Sequence, residues 1–271
     1  MSRPLPPEIL DLIIDDLHDQ QAALLVCCTV SKSWIPRARR HIFSRLEFWE
    51  GEFEYWMKDF PDPSNSPAHY IQSLMIFGTQ LISAATADVG RPWIRAFCNI
   101  VHLHVDTRNL QPDDDGPLTF APLHGLSPTL RSLHLRPASP QHSEVFALLC
   151  SFPLLEDFTF NTILYPNRAD EWKPPLSSPR LTGSLELSVV NDGIGSIIHQ
   201  LLDLPSGLNF RKIALKWICD EDLKAMTDLV SGCSGSIESL DVTDSPGVFP
   251  STAVPGRSLI ATIRLFRNSF A

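Results

Sequence analysis

The sequence lacks the short signatures that most often assign a chemistry. It contains no GxSxG turn, no P-loop, no GxGxxG after a strand and no HExxH. No CxxC occurs, and none of the six cysteines (Cys27, Cys28, Cys98, Cys150, Cys219, Cys233) stands in a Cys/His cluster with zinc spacing. Four cysteines are isolated and two are adjacent, which suits small buried hydrophobes in a reducing compartment. Positive charge is scarce, with 22 Lys and Arg against 31 Asp and Glu and a net charge of -9. That balance disfavours a nucleic-acid or anionic-membrane partner, because both reward positive charge. No apolar run approaches the ~20 residues that span a bilayer; the longest nearly apolar one is AALLVCCTV (22–30). The N-terminal aliphatics are broken by Glu8, Asp11, Asp15 and Asp16 and lack a basic n-region, so they are not a signal peptide. The expectation is a soluble protein of the cytoplasm and/or nucleus. Glycine is outnumbered by proline, 13 to 23, so many short connections are expected.

What is present is enough for a large core: 271 residues, 44% hydrophobic and 20% charged, in one or two domains. The first stretch, LPPEILDLIIDDLH, reads as a helix. Pro7 suits the first helical position and Glu8 the first turn. Ile9, Ile13 and Leu17 recur every four residues, with Leu10 and Ile14 beside them, making one wide apolar stripe. DQQAALLVCCTV follows, capped at Asp19 and apolar almost all round, so it is expected to be the central buried helix. SKSWIPRARRHIF sets Trp34, Ala38 and Ile42 on one face, with Arg37, Arg39 and Arg40 facing away. Three short helices bury too little surface to be secure alone, so part of the first stripe is available to another protein or to the rest of the chain.

These residues carry a resemblance. Leu5-Pro6-Pro7-Glu8-Ile9-Leu10, then Ile13, Leu17, Leu24-Leu25, Val30-Ser31-Lys32 and Trp34, resemble an F-box, whose pattern runs LPxE, a helix of aliphatics, a leucine pair and a V-C/S-K/R-x-W segment. The likeness covers roughly residues 5–46 and departs from the pattern in placing Cys27 and Cys28 where aliphatics are also common. It implies docking on a Skp-family adaptor and, through it, on a cullin–RING ubiquitin ligase. The implied adaptor-facing residues are Leu5, Pro6, Ile9, Leu10, Ile13, Leu17, Val30 and Trp34.

From residue 46 onward a pattern apolar-x-x-apolar-x-apolar recurs. Its central anchors are Leu46, Leu74, Leu103, Leu133, Phe158, Leu185, Ile213, Leu240 and Ile263, spaced by 23 to 30 residues. That period with LxxLxL is the signature of leucine-rich repeats. Helical runs stand between the anchors at 52–60, 91–99, 143–152, 193–204 and 220–230. Strand and helix in alternation predict an α/β fold with a parallel sheet. A closed (β/α)8 barrel would bury both strand faces. Of eighteen alternate positions on six strands, seventeen are polar, Ala214 being the exception. Burying them unpaired would cost several kcal/mol per charge, so one face must meet water. The expected architecture is a three-helix F-box (1–45) followed by a leucine-rich-repeat-like solenoid (46–271), an open horseshoe. The asparagine usual three residues past the second strand leucine is missing, with Arg108, Ala138 and Ile163 in its place. The whole chain resembles fungal F-box proteins with degenerate leucine-rich-like tails.

The concave sheet face is the expected target-binding surface. One row across it reads Glu47, Met75, His104, His134, Thr159, Glu186, Ala214, Asp241 and Arg264. The next reads Trp49, Phe77, Asp106, Arg136, Asn161, Ser188, Lys216, Thr243 and Phe266. Trp49 and Phe77 either form an interface or are covered by the loop 61–69 or the helical junction. His102, His104 and His134 share a patch; a solvated patch is favoured over a zinc site, since no fourth ligand is evident. SGCSGS (231–236) reads as the loop ending a helix, PDDDG (112–116) as a solvated loop and EWKPPLSSPR (171–180) as a surface crossing. The last repeat ends just past a strand with no polar cap, so a partner covers that edge or further sequence follows.

By resemblance, the function is target recognition for a cullin–RING ligase, with no catalytic residue, metal or cofactor in this chain and an unknown protein target. Two rivals remain: an interaction scaffold without a ligase role, and a hydrolase-like α/β enzyme, which would need a closed pocket with convergent His, Asp and Ser or Cys.

Overall fold

The computed structural model describes residues 6–78, 91–108, 120–138, 141–163, 178–190, 194–218, 220–244 and 260–264. Leu5, the acidic run 112–116, most of the tract 171–180 and Phe266 lie outside them. The chain opens with three helices, α1 (Pro7–Asp16), α2 (Gln21–Val30) and α3 (Ile35–Ile42). Pro7 starts α1, where the missing N–H costs nothing. The cap of α2 is Gln20, not the expected Asp19.

A nine-stranded sheet follows: β1 (Arg45–Phe48), β2 (Ser73–Phe77), β3 (His102–Asp106), β4 (Ser132–Arg136), β5 (Asp157–Ile163), β6 (Ser184–Val190), β7 (Lys212–Ile218), β8 (Ser239–Asp244) and β9 (Ile260–Arg264). Its spatial order is its sequence order, and β1 to β8 are parallel. The sheet does not close, which removes the barrel. The expected anchors lie in one line across the strands, from Leu46 against Leu74 through to Ile213 against Leu240. The ninth strand departs from expectation. It runs antiparallel to β8, so that Thr262 stands beside Asp241, and Arg264 pairs with Ser239 instead.

Among the described residues, five helices connect the strands: α4 (Glu52–Asp59), α5 (Arg91–Ala96), α6 (His142–Cys150), α7 (Gly195–Leu202) and α8 (Leu223–Gly232). Each falls on an expected helical run. A short 3-10 turn, Ala121–Gly125, precedes β4, where no helix was expected. The apolar strand positions and the helices share one core, which includes Leu74, Leu103, Leu133, Phe158, Phe53, Phe97, Phe146, Ile198 and Leu229. Among the described residues, the helices therefore pack on one face of the sheet, and none lies on the other.

The N-terminal helices have a separate core. It consists of Ile14, Leu24, Cys27 and Ala38, with Leu17, Cys28, Trp34 and Ile42 packed at its margin. An ion-pair cluster joins α1 to α3, in which Asp15 takes Arg37 and the His41 Nε2 at 2.7 Å. Hydrogen bonds from Arg37 and His41 hold the Asp15 carboxyl well below the usual carboxylate range. The helices join the sheet through Ser44, whose carbonyl accepts from the backbone N–H of Gln72 and Ser73, both at 2.9 Å.

In β7 the register breaks between Lys216 and Ile218. Trp217 there has φ 67°, a region that a bulky residue adopts only under strain. The extra residue takes the indole out of the core alternation. Lys216 and Trp217 are both partly in solvent, and Ile218 returns to the core.

Candidate binding surfaces

The first surface is helical. The wide stripe of α1 splits in two. Ile14 is buried, and Leu10 and Leu17 are half-buried on the same side. Ile9, Leu12 and Ile13 lie in solvent, with Leu12 64% and Ile13 46% exposed. Pro6 is also exposed. Trp34 packs half-buried at the margin of the small core. The expectation for α2 was wrong. It buries Leu24 and Cys27 only, while Leu25, Val26 (60%) and Val30 (59%) are exposed. A helix that is apolar all round has no preferred inner face, and here the small core takes one side. Leu12, Leu25 and Val26 are therefore apolar surface that the sequence reading missed. Leu12 was recoverable, since i, i+3 and i+4 from Ile9 define one helix face. Exposed aliphatics grouped in this way mark interaction sites.

The second surface is the uncovered sheet face. Trp49 is exposed and stacks on Phe77, with ring centroids 4.1 Å apart and planes 10° from parallel. Each ring is thus the other's partner on an open face. Phe77 lies 5.8 Å from His104, and His104 stacks on His134 at 4.1 Å and 11°. Neighbouring strands ~4.8 Å apart bring such rings together. His102 does not join them; it is exposed and sits beside Ser73 and Ser132. The expected patch of three histidines is a stacked pair plus an outlier. Among the described residues, no group of three or more His, Cys, Asp or Glu is placed to hold a metal ion. Burial pushes the His134 imidazole down to about 4, helped by His104 and Arg136 nearby. Burial also lowers His104. Both rings are therefore neutral at pH 7.

Asp106 was expected in water, and it is buried, at 9% exposure. It accepts from Arg108 Nε at 3.1 Å and Nη2 at 2.9 Å, and Arg136 Nη1 stands at 3.5 Å. Burial alone would raise this carboxyl. The hydrogen bonds from Arg108 and the two guanidinium charges outweigh that and hold it low. Arg136 Nε and His104 Nε2 are buried and have no protein partner. Toward the other end the face is polar and half-buried. Lys216 Nζ donates to Glu186 at 2.5 Å, with Thr159, Asn161 and Asp241 around the pair in register, while Ser188 is buried.

Burial pushes the Cys150 thiol up to about 11 and also raises Cys233, so both stay protonated. Cys233 follows the last turn of α8, where Ser236 Oγ donates to the Phe210 carbonyl at 3.0 Å; SGCSGS is a helix end. No described helix is long and apolar enough to cross a membrane. No model of a known protein family, no curated protein and no solved structure matches the chain.

Proposed function

We propose that this protein is the target-recognition subunit of a cullin–RING ubiquitin ligase, working in the cytoplasm and/or nucleus. Its helices 1–45 act as an F-box that docks on a Skp-family adaptor. Its sheet, 46–271, is a leucine-rich-repeat-like solenoid that holds a protein target. The chain performs no chemistry of its own; ubiquitin transfer belongs to its partners. One observation carries the reading: the aliphatic faces of α1 and α2 are left uncovered by the sheet, at Ile9, Leu12, Ile13, Leu25, Val26 and Val30. Burying such side chains against a partner stabilises the complex by ~25 cal/mol per Å2 of apolar surface.

The test is a pull-down of the full chain with purified Skp-family adaptor. The wild type is expected to bind, and Ile9→Asp with Ile13→Asp to lose it. Because both side chains are already solvated, the double variant keeps its fold, which circular dichroism checks. A folded wild type that does not bind would remove the ligase role and leave an interaction scaffold built on the same sheet face.

A further inference from the structure

The sheet face from β1 to β4 is built for one kind of occupant. Four flat rings, Trp49, Phe77, His104 and His134, run side by side across it. Within each stacked pair the inner faces are taken, so the row offers ring edges and the solvated side of Trp49, and these meet another ring edge-to-face or by offset stacking. Beside them, in register with Phe77, come Asp106 and then Arg136. Asp106 holds Arg108 by two hydrogen bonds, and the Arg136 guanidinium stands within ion-pair reach. Two guanidiniums against one carboxylate leave one positive charge here, in a chain of net charge -9. Among the described residues, none accepts a hydrogen bond from Arg136 Nε. Among the described residues, Glu186 is taken by Lys216, Glu47 lies beside Met75, and Glu50 lies beside Gly78 past the end of β2.

We infer that this face binds an extended peptide segment of a partner protein in which an acidic side chain follows an aromatic one by two to four residues. The carboxylate meets the planar fork of Arg136, which suits paired oxygens, and the aromatic lies on the ring row. The spacing follows from the sheet. Phe77 and Arg136 are two strands apart, ~10 Å, which an extended chain at ~3.3 Å per residue spans in about three residues. An open face four strands wide suits an extended segment better than a small molecule, which needs an enclosing pocket. Trp49 and Arg136, at the two ends of this face, are of the residue types that dominate interface energetics. This deepens the target-binding half of the proposed function. It makes no use of the helices, so the two can fail separately.

The test is selection from a peptide library by the immobilised full chain. The probes are acetylated, amidated nonapeptides with a central Trp or Phe and Glu at the second, third or fourth following position, the rest mixed. Matched libraries carry Gln or phosphoserine in place of Glu. The Glu library is expected to be retained at least about ten-fold over the Gln library. Arg136→Ala should abolish that preference, and Arg136→Lys should lose most of it, because lysine keeps the charge without the fork. Asp106 keeps Arg108 in both variants, so the fold is preserved. Trp49→Ala should weaken the choice of an aromatic and leave the preference for Glu. Equal retention of Glu and Gln, a Glu preference that survives Arg136→Ala, or phosphoserine retained above Glu would each overturn the inference.

Discussion

The helical and sheet parts solve the same problem on different scales. The sheet shares one core that runs from Phe48 to Leu240, to which the connecting helices contribute. The helices 7–42 have four buried apolar residues and an ion-pair cluster. The sheet's other face is polar or ring-lined and in part internally paired. The exposed face of the helices is aliphatic, and no other described residue covers it. A part with so small a core gains most from burying its outside against a partner, whereas the sheet is stable with one face in water.

The largest expected effect sharpens that contrast. Phe158→Ala empties the centre of the large core and should cost about 3–5 kcal/mol, read from urea unfolding. Leu24→Ala should cost about 2–3 kcal/mol and open only the helices, read by hydrogen exchange confined to residues 7–42. Loss of protection in the sheet from Leu24→Ala would break the distinction.

Acid should separate the two parts in order. His134 has a folded pKa of about 4, below its unfolded ~6.5, so between those values the unfolded chain binds more protons. The sheet's stability is therefore full above pH 6.5 and falls as pH drops toward 4, by about 1–2 kcal/mol after allowing for solvent around the rings. Asp15 is held below its unfolded ~3.9, so its contribution to the helices is present above that value and lost only below it. Thermal melts of wild type and His134→Asn from pH 7 to 4 check this; the variant should show the flatter slope. The smallest effect is at the bulge. Trp217→Gly removes the strain of a positive φ and a partly solvated indole, and should change stability by less than about 1 kcal/mol. A loss above about 2 kcal/mol in denaturant unfolding would mean that the indole holds the bulge in place.

The strand anchors were legible because buried positions must be apolar and recur at a fixed period. Their register followed, from Leu46 to Leu240. The reversal of β9 was not, because an alternating apolar pattern reads the same in both directions along a strand. The burial of Asp106 was hidden for another reason: one of its two partners, Arg136, is 30 residues away in sequence and becomes a neighbour only through the register. On α2, composition set the total apolarity but not which side would be covered. The exposed aliphatic face of the helices was thus partly visible, at Ile9, Ile13 and Val30, and incomplete at Leu12, Leu25 and Val26.

That the strands lie in the order in which they occur has a kinetic consequence. Every strand from β1 to β8 pairs with its neighbours in sequence, so no contact in this part of the sheet waits for distant segments to meet. Each pairing still closes a loop of about 25 to 30 residues, so the sheet forms more slowly than a helical bundle would, but no pairing must wait for a longer loop to close. Growth can start at any adjacent pair and spread both ways, as a zipper does from any tooth. Damage spreads by the same rule. A lesion at β1 frays one end, whereas a lesion at β4 or β5 parts the sheet into two shorter pieces, each with a new open edge.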